Sequence, residues 1–284
     1  MQVLLQTELL GRSSVLDEIK TLSCSVSVFS GYRQDWKSLL LKKEKDPAWQ
    51  DGPCVLFCSL QVARFVQKHC PHLSRGLFFR PEAMSLRVLA SSFASSPGLW
   101  LNEGGFWLPF GVLERSGDFV FSCLGERVFV RPDSGLKTFS AFVADAGSWA
   151  LEVSSVKQIH NPSSDEMVFC APAKDLETYE HRFWCVGGEP VANAPYAFGP
   201  GGINESVSPS PPPPDAWNVV GQAAQSFLAW DDVVVVDVVV DKTTGVASVV
   251  ECNALSTSGF YQGFKIKPVL EALSLECWGQ PLTC

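Results

Sequence analysis

Long apolar runs are missing from this chain. No stretch approaches the roughly 18 uninterrupted apolar residues that a membrane-spanning helix needs, so no span is expected. Basic charge is scarce as well. The formal net charge is -8, whereas a nucleic-acid-binding surface normally shows a basic face. The most basic stretch, Lys42-Lys43-Glu44-Lys45, is short and mixed and reads as a solvated helix end. The opening MQVLLQTELLGR has an acid inside a short apolar run and no basic leader, so it does not read as a signal peptide. The expected location is therefore cytoplasmic, where the ten cysteines stay mostly reduced. No CxxC pair exists, and Cys54, Cys58, His69, Cys70 and His72 match no standard zinc spacing. Four histidines pair with no obvious nucleophile, which argues against a Ser-His or Cys-His hydrolase.

The chain does have length: 284 residues suffice for two modest domains or one large one. Its first 115 residues alternate short apolar runs with amphipathic stretches, as α/β organisation requires. Cys24–Phe29 alternates like a strand and Pro53–Cys58 reads as a buried one. Ser59–His69 then repeats Leu60, Ala63 and Val66 at helical spacing behind a Ser59 N-cap, and Pro71 stops the helix. Residues 97–115, rich in Gly, Pro and Trp, read as a connection. Beyond them Phe119–Cys123, Arg127–Arg131, Ser140–Val143, Met167–Ala171 and Arg182–Val186 read as sequential short strands of an antiparallel sheet. The Pro-rich stretch 207–214 reads as a stiff exposed connector, and Trp217–Trp230 as a helix leading into the strand at Val233.

Three segments carry chemistry. Asp237–Tyr261 places two apolar runs around an Asp-Lys-Thr-Thr-Gly turn, a hairpin signal. Period-2 geometry projects Glu251 and Asn253 from one face, and Asp237 can meet them from across the hairpin. Two carboxylates and an amide inside a sheet call for a cation. So few hard oxygens suit Mg²⁺, which completes its shell from water and phosphate; the alternative is a surface hairpin with its acids in water. Val128–Val143 ends a strand at Arg131, turns through Asp133-Ser134-Gly135 and presents Lys137. That arrangement suits an anion, or else is an ordinary basic hairpin. Phe169–Val186 offers an extended Ala171-Pro172-Ala173-Lys174 segment, then Glu180 and Arg182 at period 2; its alternative is a plain connection with a surface Glu/Arg pair.

Taken in order, basic loop, extended hinge, Glu-x-Arg, long helix and Asp…Glu-x-Asn hairpin give the layout of an ATP-grasp fold, which this chain resembles over residues 116–284. The runs FVRPDSGLKTFSAFV, EHRFWCVGGEPV and VVECNALSTSGFY are similar to a divergent phage and bacterial clade with an arginine for the usual strand lysine. CSLQVARFVQKHCP and LPFGVLERSGDFVF extend the likeness upstream. The resemblance implies a mixed α+β, α/β architecture: a small α/β pre-ATP-grasp domain (1–115), then an ATP-grasp domain (116–284) split into a basic-loop and hinge part (116–186) and a metal-binding part (187–284). It implies ATP and Mg²⁺ as cofactors. Arg131 and Lys137 would hold phosphates, Cys170 and Ala171 would line adenine with Lys174 near the base or α-phosphate, and Glu180 would bind ribose or sit near metal. Asp237, Glu251 and Asn253 would be metal ligands, Arg182 and Lys137 would serve catalysis, and Ser256, Ser258, Gly259 and Tyr261 would help bind the acceptor. One departure stands out: many ATP-grasp ligases carry an arginine two positions before the metal-binding aspartate, and here that position is Val235. The implied activity is a carboxylate–amine ligase acting through an acylphosphate on an amino acid, peptide or protein. Its partners are small-molecule or peptide substrates, without nucleic acid or membrane, in the cytoplasm (the host's, if phage-encoded). A kinase leaving phosphate on its acceptor, or a nucleotide-binding or interaction protein without turnover, shares the same fold. Nothing in the sequence reads out the oligomeric state.

Overall fold

Three apolar runs near the N-terminus, Gln2–Gln6 (β1), Ser25–Phe29 (β2) and Cys54–Phe57 (β3), pair in parallel in the order β2-β1-β3. A parallel sheet is covered on both faces, and every residue of β3 is buried. The computed structural model describes residues 1–11, 13–22, 24–177, 179–199, 202–204 and 211–279, with backbone alone for 197–199 and 202–204. Helices Trp36–Glu44 (α1) and Leu60–His69 (α2) belong to this first layer. Ser59 holds the N-cap position of α2, but its N–H donates to Gln6 Oε1 at 2.8 Å and its hydroxyl makes no cap. Glu44 is not a solvated helix end. It is buried and accepts from the His72 and Leu73 N–H groups at 2.9 Å each, capping the turn that begins at Pro71.

Helix Leu86–Phe93 (α3) leads to the second sheet. Its strands Phe106–Pro109 (β4), Arg127–Pro132 (β5), Phe142–Asp145 (β6) and Met167–Pro172 (β7) run antiparallel in the order β4-β7-β5-β6. Two expectations are corrected here. The stretch 97–115 contains β4 and a helical turn at Phe110–Leu113. Phe119–Cys123 is not a strand but the body of a helix, Gly117–Leu124 (α4). Its run is apolar at nearly every position, so period 2 and period 3.6 cannot be told apart in so short a window. The fold decides by burying Val120 and Leu124, one turn apart, and leaving Phe119 58% exposed. Gly125, at φ +95°, then ends the helix. Helix Trp149–His160 (α5) covers the same sheet.

The third sheet is antiparallel in the order β10-β9-β8-β11-β12. Its strands are Tyr179–Val186 (β8), Glu189–Gly199 (β9), Gly202–Asn204 (β10), Val233–Val240 (β11) and Ala247–Ala254 (β12). Helix Ala216–Phe227 (α6) packs on one face with Val234, Val236 and Val238; helix Lys267–Trp278 (α7) and the N-terminal sheet pack on the other with Val233 and Val235. Residues 207–210 of the Pro-rich stretch lie outside the described residues, and 211–214 are irregular backbone leading to α6. Among the described residues no helix is long and apolar enough to cross a membrane. Cys54, Cys58, Cys70, Cys170, Cys185 and Cys252 are buried free thiols; burial raises the Cys54, Cys58 and Cys170 thiols, which suits inert packing.

Candidate active site

Strand β12 does not keep simple alternation. Ala247 and Val249 pack into the core beneath α6, so strict period 2 would bury Glu251 and Asn253 there too. A register shift at Asp237/Val238 leaves Val250 without a cross-strand partner, so the residues after it change face. Cys252 and Ala254 now enter that core, and Glu251 pairs directly with Asp237 on the opposite face. This β-bulge aims the acids.

On the other side of β11, Asp237 pairs in register with Arg182 of β8. The guanidinium grips the carboxylate bidentately, Nε to Oδ1 at 2.8 Å and Nη2 to Oδ2 at 2.7 Å, while Nη1 donates to Tyr261 Oη at 3.2 Å. Asp237 is fully buried and Arg182 nearly so. Burial pushes the Asp237 carboxyl up and the guanidinium pulls it back; Arg182 itself, despite burial, is held well above its usual range by Asp237. Asn253 Nδ2 lies 2.9 Å from both Asp237 Oδ2 and Glu251 Oε1, tying the three side chains together.

The basic loop reaches this hairpin from the second sheet. Asp133 accepts from the Arg87 N–H at 3.0 Å, the Arg87 guanidinium at 2.6 Å and Trp107 Nε1 at 2.9 Å, which fixes the turn against α3. Lys137 follows in a left-handed conformation, φ +49°. Arg131 Nη1 meets Glu251 Oε2 at 2.8 Å and Lys137 Nζ meets Oε1 at 2.9 Å. Burial would raise Glu251, but the two cations outweigh it and hold the carboxyl well below the usual range.

Arg131, Lys137, Glu180, Arg182, Glu251 and Asn253 border one cleft of about 860 Å³, together with Ser258, Gly259 and Tyr261. Asp237 sits behind Arg182 and Asn253. Cys170 and Ala171 do not border the cleft; both are buried in β7, whose pairing with β4 stops at Cys170 and leaves the next residues unpaired on that side. Lys174 is exposed in the hinge, close enough to Asp241 to lower its carboxyl after hydrogen bonds from Thr244 and Thr243. Ser256 faces the N-terminal layer: its hydroxyl accepts from the Phe78 N–H at 2.9 Å and its carbonyl from the Cys58 N–H at 2.7 Å.

Several cleft residues had no sequence signal. Tyr196 pairs in register with Glu180 across β8–β9 and donates to its Oε2 at 2.6 Å. Its ring stacks on Tyr261, centroids 4.5 Å apart, and the Arg182 guanidinium lies 5.2 and 5.1 Å from the two centroids. Burial and the Asp237 charge push Glu180 up to about 8. Glu8 borders the cleft from beyond β1. Burial would raise it, but the Ser30 hydroxyl at 2.5 Å and the Gly31 N–H at 3.2 Å hold it at about 2. An acid in a single 3₁₀ turn, Thr7–Leu9, and a tyrosine in a strand carry no spacing that marks them.

The donor set is hard and sparse. Among the described residues no three His, Cys, Asp or Glu side chains gather as a metal cluster. Two carboxylates and an amide fit a cation such as Mg²⁺ that takes its remaining ligands from water and phosphate, and they do not fit zinc.

The fold has solved counterparts. D-cycloserine synthetase DcsG aligns over 97% of this chain and 99% of its own, at 14% identity and a TM-score of 0.58. D-alanine–D-alanine ligase from Bacillus anthracis aligns over 91% and 88%, at 14% identity and 0.52. A RimK domain ATP-grasp protein from Sphaerobacter thermophilus aligns over 90% and 92%, at 12% identity and 0.52. At these identities the likeness speaks for the fold. No curated protein matches the chain by sequence. The family model for the ATP-grasp domain, R-2K clade family 3, matches residues 86–273, and the chain belongs to that family.

Proposed function

We propose that this protein is an ATP- and Mg²⁺-dependent ligase that joins a carboxylate to an amine, on an amino acid, peptide or protein terminus, through an acylphosphate. The observation that carries the reading is the meeting of Arg131 and Lys137 with Glu251, Asn253 and Arg182 on one cleft. Phosphoryl transfer needs little covalent help from protein. It needs anions held in line and their growing charge neutralised.

In this reading Arg131 and Lys137 bind the phosphates, Glu180 the ribose, and the backbone of Cys170 and Ala171 with Lys174 the base. Asp237, Glu251 and Asn253 hold Mg²⁺, which draws charge from the phosphate oxygens when bound. A substrate carboxylate oxygen attacks the γ-phosphorus, the bond to the β-phosphate oxygen breaks, and ADP leaves. The amine then attacks the acyl carbon, loses a proton and expels inorganic phosphate. Arg182 takes the part that Val235 cannot, stabilising the tetrahedral oxyanion from the neighbouring strand. Tyr261, Ser258 and Gly259 line the acceptor end, and Ser256 braces that loop from behind.

Calorimetry is expected to register Mg·ATP binding, and a carboxylate–amine screen to yield amine-dependent ADP release. Asp237→Asn combined with Glu251→Gln should abolish the ADP release and the affinity that Mg²⁺ adds for ATP. A wild-type protein that binds no Mg·ATP, or a double variant that releases ADP unchanged, overturns the reading. A phosphorylated acceptor in the product mass spectrum assigns a kinase instead.

A further inference from the structure

Arg131 ends β5 in one sheet and Lys137 lies in the loop that follows, while Glu251 belongs to β12 of another sheet. They meet across the cleft at 2.8 and 2.9 Å. One carboxylate thus pairs with both cations that the proposed function assigns to phosphate. Asp237, by contrast, takes its positive charge from Arg182. We infer that Glu251 is a specificity-determining residue: its carboxylate fills the phosphate subsite of the free protein and makes the cleft select metal-complexed over metal-free nucleoside triphosphate. The identity of the ligand rests on the proposed function; the competition itself rests on the two ion pairs.

A metal-free polyphosphate must pull both cations off Glu251. The half-exposed Lys137 can swing away, but Arg131 is only 9% exposed along its side chain and stays close. Glu251, itself 15% exposed, is then left beside the incoming phosphates with Asn253 Nδ2 as its remaining donor. Like charges a few ångströms apart in a partly desolvated cleft repel strongly. A divalent cation arriving with the polyphosphate supplies two positive charges for the two that Glu251 gives up. Metal and phosphate therefore bind as a coupled pair, each raising the affinity of the other by the same factor.

The test is calorimetry with inorganic tripolyphosphate and with ATP, each in EDTA and in Mg²⁺, on wild type, Glu251→Gln and Glu8→Gln. Glu8→Gln removes a charge from the same cleft border without touching Arg131 or Lys137. Glu251→Gln is expected to bind metal-free tripolyphosphate and ATP about tenfold more tightly than wild type, within the usual range of coupling factors, and to lose most of the gain that Mg²⁺ gives wild type. Glu8→Gln is expected to leave both ratios unchanged. The inference is overturned if Glu251→Gln gains no metal-free affinity, or if Glu8→Gln gains as much, since bulk charge would then suffice. Cooperative melting verifies each variant, and Glu251→Ala replaces Glu251→Gln should the latter not fold. A wild type that ignores Mg·ATP defeats the proposed function alone, because the tripolyphosphate arm still reads the competition.

Discussion

Arg182 and Asp237 carry opposite charges in a place where neither could stay alone. A bidentate pair with both partners buried is held by its own geometry, since removing one partner strands the other without water. Arg182→Met is therefore expected to lower stability by about 3–5 kcal/mol, measured as a shift in the urea midpoint. Restoring apolar balance with Arg182→Met and Asp237→Leu together should recover much of that loss while leaving no Mg·ATP binding. If the single variant is as stable as wild type, the pair contributes nothing and its burial needs another account. The same residues show what could be read from the chain. Asp237 was visible because a lone acid interrupts a run of valines, and Arg182 because it stands at period 2 from Glu180. Their contact spans 55 positions and depends on β8 lying beside β11, which no local pattern states.

At the scale of elements, the hairpin was legible and its bulge was not. Apolar runs around a polar turn give two strands whatever the register, so the sequence supports the hairpin without fixing which face each residue takes. Val250, the residue that switches the face, is one more valine in a valine-rich strand. Deleting it joins Val249 directly to Glu251, so plain alternation then keeps Ala247 and Val249 in the core and Glu251 and Asn253 on the opposite face. The expected result is Mg·ATP affinity retained to within about tenfold, the scale of a lost supporting interaction around a ligand set, with a cooperative melt showing that the straightened strand still packs. A larger loss of affinity in a folded variant would mean that the local twist of the bulge, and not the residue count alone, orients the acids. Helix α4 makes the reverse point: its uniformly apolar run holds no period, and packing against the second sheet selected the helix. The basic loop lies between these cases. Its charges were plain in sequence, but the anchoring of Asp133 by Arg87 and Trp107 joins three separate elements.

Across the whole molecule the cleft is walled by all three layers. Phe260 N–H donates to Leu9 O at 3.0 Å and Ser256 clasps Phe78 and Cys58, so the loop after β12 and the N-terminal layer form a continuous wall. Global stability then depends on two titrating residues that are neighbours on β8 and face opposite ways. His181 is buried with neither ring nitrogen hydrogen-bonded, and burial lowers it below its ordinary value of about 6.5. The unfolded chain therefore binds a proton more readily than the folded one. The stability this gives is fully present above about pH 6.5 and is lost as pH falls through the lowered folded value. Glu180 works in the other direction. Its folded value of about 8 exceeds the unfolded one, so its contribution is present at low pH and is lost as pH rises towards 8. The two oppose each other in the weakly acidic range, and the wild-type curve alone cannot separate them. Subtracting the melting profile of His181→Leu removes what the variants share, Glu180 included. The difference is expected to move in favour of His181→Leu as pH drops from 7.5 to about 5, because only wild type must keep a buried imidazole neutral. A difference that stays flat across that range would show that the imidazole finds a partner for its proton within the fold.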